Sequence, residues 1–138
     1  MTIPQAPPRA AARTLLAAAR AGLAEAAREP GPAQRYAGAH LAALRAAAAV
    51  LAARARPAGT HRRPTSAWVL LTAVAPELAE WAAFFAAGAD KRSAAEAGLC
   101  GAATGREADD LVRDAETFLG VVEASLGLAG AEPLFRAG

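Results

Sequence analysis

The sequence holds a single cysteine, Cys100, so no internal disulfide can form. This agrees with a reducing, cytoplasmic setting. Aromatic residues make up only 5% of the chain, and valine, isoleucine and threonine together number 14. That is too little β-branched material for a sheet. There is no phosphate-binding glycine loop, no paired Cys-x-x-Cys, no His-Glu-x-x-His and no nucleophile elbow. Two histidines and one cysteine cannot complete a standard structural zinc site without carboxylate help, so no metal and no cofactor is expected. Residues 1–13 lack the apolar region of a signal peptide. No apolar run is expected to cross a membrane, because the longest candidate, residues 67–89, carries Pro76, Glu77 and Glu80.

Alanine fills the space that those absences leave. Apolar residues are 54% of the 138, and alanine supplies most of them. Alanine, leucine, arginine and glutamate are good helix formers, and a thin alanine core suits close helix packing. The spacing predicts a first helix from about Arg9 to Arg28, with Leu16, Ala19, Leu23 and Ala27 on its apolar face. Pro30, Gly31 and Pro32 turn the chain, and a second helix runs to about Arg56 with Tyr36, His40, Leu44, Ala47 and Leu51 on one side. A third helix is expected from Thr65 to Ala87, capped by Thr65 or Ser66 and stopped by Gly88. Its core stripe is Trp68, Leu71, Ala75, Leu78, Ala82 and Phe85, and Pro76 should kink it. Residues 90–101 allow a short helical turn. Thr104-Gly-Arg-Glu107 reads as a capping box for the last helix, whose stripe is Ala108, Leu111, Val112, Ala115, Leu119, Val122 and Leu126 before Gly127 closes it. The expected architecture is all-α: an antiparallel four-helix bundle over residues 9–127, with flexible segments at 1–8 and 128–138.

The third helix carries a second apolar set, Leu70, Val74, Trp81 and Phe84. A helix apolar on two sides needs two partners. Either it is central to the bundle, or the second side meets another subunit and the chain is a homodimer.

Charge is unevenly placed. Residues 1–63 hold ten arginines against Glu25 and Glu29, a net of +8, while residues 64–138 hold five cations against eleven carboxylates, a net of −6. Basic helices could pair with acidic ones inside the bundle, or the basic half could offer a face to an anion such as RNA. The loop residues His61, Arg62 and Arg63, beside Arg56, are either solvated or contact phosphate. Asp110 and Asp114, one turn apart, either serve the helix dipole and solubility or form a metal-binding pair. His40, four residues after Tyr36, is either a hydrogen-bonded core histidine or a general base with Tyr36 and Arg35 nearby.

Three stretches carry a family resemblance: RYAGAHLAALRAAAAVLAARARP (35–57), RRPTSAWVLLTAVAPELAEWAAFF (62–85) and GREADDLVRDAETFLGVVEASLG (105–127). Together they resemble a small, stand-alone actinobacterial branch of the HEPN superfamily. The resemblance implies a short helical bundle that dimerises. In many HEPN domains it also implies a metal-independent ribonuclease with an Arg-x4–6-His motif near the start of a late helix, while others lack the motif and serve in binding. Here Arg106 has no histidine four to six residues later. Arg35 and His40 have the spacing, but on the second helix, where five residues turn about 500° and the side chains diverge by about 140°. Three functions follow: a non-catalytic, dimerising module that binds a protein or nucleic acid; a ribonuclease using Arg35, Tyr36 and His40; or a structural bundle without a ligand. No membrane partner is expected.

Overall fold

The computed structural model describes residues 8–54, 66–99 and 101–128. The chain forms α1 (Pro8–Ala27), α2 (Pro32–Arg54), α3 (Ala67–Val74), α4 (Ala79–Ala87), α5 (Ala89–Glu96) and α6 (Gly105–Ser125), with a 3-10 turn at Pro76–Leu78 between α3 and α4. No strand occurs among the described residues. Of the flanking segments expected to be flexible, residues 1–7 and 129–138 lie outside the described residues. Pro8 already opens α1, and Leu128 is half-buried against the core.

The position of α2 follows from its composition. Ala39, Ala42, Ala43, Ala46, Ala47 and Ala49 are all fully enclosed, together with Val50. A helix buried on most of its circumference must be central, and α1, α6, α5 and α3 all pack on α2. This is also where the membrane reading needs correction. Among the described residues, the helix long and apolar enough to cross a bilayer is the 23-residue α2, rather than the 67–89 stretch; its most apolar 18-residue window has a mean hydropathy of 1.3, and half of that window is buried inside the protein.

Alanine-to-glycine contact sets the α1–α2 spacing. A Cβ placed on Gly38 would lie 2.7 Å from the Cβ of Ala26. Ala26, not the expected Ala27, is the buried member of the α1 stripe. Gly38→Ala would raise helix propensity by about 1 kcal/mol, yet we expect a net loss of about 1–3 kcal/mol, because the two backbones would have to separate. Urea denaturation of the single variant checks the sign.

The expected kinked third helix is two helices. Ala75 adopts φ −139° and ψ 73°, outside the helical region, which is what a residue preceding proline is pushed toward. Pro76 then opens the 3-10 turn, where its missing N–H costs nothing. The core stripe survives the break: Trp68, Leu71, Ala75, Leu78, Ala82 and Phe85 are all buried. Ser66 is the cap of α3, its Oγ accepting from the Trp68 N–H at 3.0 Å.

The α6 helix begins with the expected capping box: Glu107 N–H donates to Thr104 Oγ1 at 3.0 Å, and Thr104 N–H donates to Glu107 Oε1 at 2.9 Å. It ends on Gly127, which takes φ 70°. Leu128 N–H then reaches back to the Glu123 carbonyl at 2.7 Å, closing a Schellman turn.

Part of the charge division is met within the fold, by three arginines of the basic half. Arg20 pairs with Glu123 at 2.7 Å, Arg35 with Asp109 at 2.9 Å, and Arg54 with Glu77 at 2.6 Å. Each pair joins the basic half to the acidic half, as the intramolecular reading of the charge requires.

Candidate functional site

His40 sits on α2 with 1% of its surface exposed. The rings of Phe85 and Trp68 meet it edge-on, with centroids 5.9 and 6.0 Å away. Its Nε2 lies 2.8 Å from the carbonyl oxygen of Phe85. A carbonyl only accepts, so Nε2 carries the proton. That carbonyl belongs to the last turn of α4, where it also accepts from the Gly88 N–H at 3.0 Å; His40 adds a second donor from the side. Nδ1 has no hydrogen-bond partner among the described residues. Burial pushes the imidazole pKa below its ordinary 6.5; the Phe85 hydrogen bond opposes this, Arg92 adds to it, and Glu96 partly offsets it. His40 is thus neutral at pH 7.

Tyr36 lies one turn before His40 and is 7% exposed. Its phenol is raised above the ordinary range, first by burial and then by the charge of Glu107. Gly88 ends α4 with φ −90°, not in the left-handed region. Space explains the glycine better than backbone angle does: a Cβ there would stand 2.9 Å from the Tyr36 hydroxyl. Tyr36, His40, Phe84, Phe85, Gly88 and Lys91 line a concavity of about 260 Å³, with the Lys91 ammonium 6.0 Å from the Tyr36 ring centre. Residue spacing alone marks neither Lys91 nor the close approach at Gly88.

Arg35 does not open into that concavity. Its Nη1 donates to the carbonyls of Glu29 and Pro30 at 2.7 and 3.3 Å, bracing the α1–α2 turn. Its Nε stands 2.9 Å from Asp109 Oδ1, at an angle that makes the contact an ion pair rather than an aligned hydrogen bond. Arg35 and His40 share a helix and no binding partner, while Tyr36 and His40 do share a cavity wall.

The second apolar set is split. Trp81 is partly buried, stacked on Phe85 with ring planes at 18° and tilted onto Phe118 at 5.5 Å. Leu70 and Val74 are half-buried, and Phe84 is 46% exposed. Val69, which the helical stripe left out, is 60% exposed. Between α4 and α6, the residues Glu80, Trp81, Phe84 and Asp114 line a groove of about 320 Å³. The candidate phosphate contacts Arg56, His61, Arg62 and Arg63 lie outside the described residues. Among the described residues, no group of three or more His, Cys, Asp or Glu side chains could hold a metal ion.

A family model described as SAV_6107-like HEPN matches residues 24–123, from the end of α1 to the last turn of α6. No curated protein and no solved structure matches the chain. The family match takes in α2, the α3–α4 break and the capped α6, the same stretches whose packing builds the His40 environment, and on it the chain belongs to the HEPN superfamily.

Proposed function

We propose that the chain is a non-catalytic HEPN module that works by binding. In this reading its helices form the antiparallel four-helix bundle of HEPN domains, it pairs with a second copy of itself, and the pair engages a protein or nucleic-acid partner. The observation that carries the reading is the state of the two residues with catalytic spacing. An Arg-x4–6-His pair must bring both groups to one phosphate. His40 is enclosed by Trp68 and Phe85 and spends its Nε2 proton on a backbone carbonyl, while Arg35 is committed to two carbonyls and Asp109. The α6 position that would hold the motif has Arg106 with no following histidine. Pairing is supported by apolar side chains left in water along α3 and α4: Val69 and Phe84, beside the half-buried Leu70, Val74 and Trp81.

Total RNA incubated with the purified protein in the absence of metal should stay intact. Cleavage that disappears in Arg35→Ala would overturn the reading in favour of the ribonuclease. Sedimentation at tens of micromolar should show a dimer, and Val69→Asp with Leu70→Asp should shift it to monomer. A wild-type protein that sediments as a monomer at that concentration would remove the pairing from the proposal.

A further inference from the structure

The groove between α4 and α6 combines two features that call for a cationic occupant. Its aromatic wall is preset. The Trp81 and Phe84 rings stand at 88° with centroids 6.4 Å apart, forming a corner, and Trp81 is held from behind by Phe85 and Phe118. Its rim is acidic, with Glu80 on α4 and Asp114 on α6. Among the described residues neither carboxylate is ion-paired, although Glu77, Asp109, Glu116 and Glu123 all have arginine partners. Glu25, Glu29 and Asp90 are also without an ion pair among the described residues, but of the unpaired carboxylates it is Glu80 and Asp114 that line this groove beside the Trp81 and Phe84 rings.

Complementarity narrows the occupant. A purely apolar segment would cover two carboxylates without compensating them, which is costly. A second copy seated by its own groove, as a two-fold contact demands, would bring four like charges together. A cation reverses both penalties, since the faces of Trp and Phe attract positive charge. Arginine fits better than lysine: its flat guanidinium stacks on a ring while offering two parallel N–H groups to a carboxylate. We propose that this groove takes an arginine side chain from a partner protein. The proposal rests on the binding-module reading, and it places the self-pairing surface along α3, with Trp81 and Phe84 at its edge.

The test is calorimetric titration of the full-length protein with a short arginine-rich peptide and with its lysine counterpart, followed in parallel by tryptophan fluorescence. The arginine peptide should bind saturably and perturb the emission. The lysine peptide should bind about tenfold more weakly, and Phe84→Ala and the double variant Glu80→Gln/Asp114→Asn should each weaken the arginine peptide by about tenfold. A single cooperative denaturation transition confirms that each variant folds, with the midpoint unchanged for Glu80→Gln/Asp114→Asn and modestly lowered for the half-covered Phe84→Ala. Absence of saturable binding, equal binding of both peptides, or binding that ignores all three substitutions would overturn the proposal. The RNA and sedimentation experiments on the same preparation report on the underlying reading separately. Intact RNA and a dimer without peptide binding defeat this inference alone; arginine-dependent RNA cleavage defeats the reading beneath it.

Discussion

Phe118→Ala is expected to destabilise the protein by about 3–5 kcal/mol. Phe118 is fully buried, and its ring lies 5.1 Å from Phe85, 5.5 Å from Trp81 and 6.3 Å from Trp68, centroid to centroid. Those rings belong to α3, α4 and α6, so one side chain joins three elements. Most of the remaining core is alanine, which cannot move in to fill the space. The cavity term therefore adds to the lost transfer energy instead of being relaxed away. Phe84→Ala provides the comparison: at 46% exposure it should cost about 1 kcal/mol. Urea denaturation of both variants measures the difference, and a loss below about 1 kcal/mol for Phe118→Ala would mean that the aromatic cluster does not hold the α4–α6 junction together.

His40→Ala should cost a similar amount, about 3–5 kcal/mol, for two reasons. It empties a site packed by two rings, and it removes one of the two donors to the Phe85 carbonyl, which keeps the Gly88 N–H. The wild-type protein should also carry a pH signature of this residue. The folded-state pKa is depressed below 6.5, with burial as the main cause. Above about pH 6.5 the imidazole is neutral in both states and has no effect on the balance. As pH falls from there, the unfolded chain takes up a proton that the folded protein resists. Stability then drops by at most about 1.4 kcal/mol per pH unit, until the lower folded pKa is passed and the loss levels off. Glu77 and Glu107, both held below their ordinary 4.5 by hydrogen bonds, lose their contribution as pH falls below that value, so they act in a lower window. Denaturation midpoints between pH 7 and 5 should fall for the wild type and for His61→Gln alike. A flat profile would show that His40 accepts its proton without opening the core.

Much of the local structure was legible in residue spacing. The α3–α4 core stripe, the Thr104–Glu107 capping box and the Gly127 stop all appear where the sequence placed them, because each depends on residues within one or two turns of each other. The same reasoning missed Phe118. It lies beside the Leu119 stripe and inside the helix–helix seam, and helical periodicity alone does not say how wide a buried sector is. In α2, Leu44 and Leu51 were expected in the core, yet they are only partly covered while alanines are enclosed. Hydrophobicity marks what tolerates burial, but close helix approach selects the smallest side chains for the tightest contacts. Trp81 and Phe84 were read as one apolar face; the fold turns Trp81 mostly inward and leaves Phe84 in water.

The amino-acid sequence by itself determined an all-helical chain, most of its helix ends, the larger part of its core and its membership in a helical family. These follow from propensity, capping and a 3.6-residue period, which act over a few residues along one axis. The tertiary structure alone decided which groups separated in sequence came together. It set the His40 ring under a carbonyl 45 residues away, tied Arg35 to Asp109, and opened an acidic aromatic groove between Glu80 and Asp114. Such juxtapositions depend on how neighbouring helices meet, and that is fixed by the packing of whole surfaces rather than by any single stretch of chain.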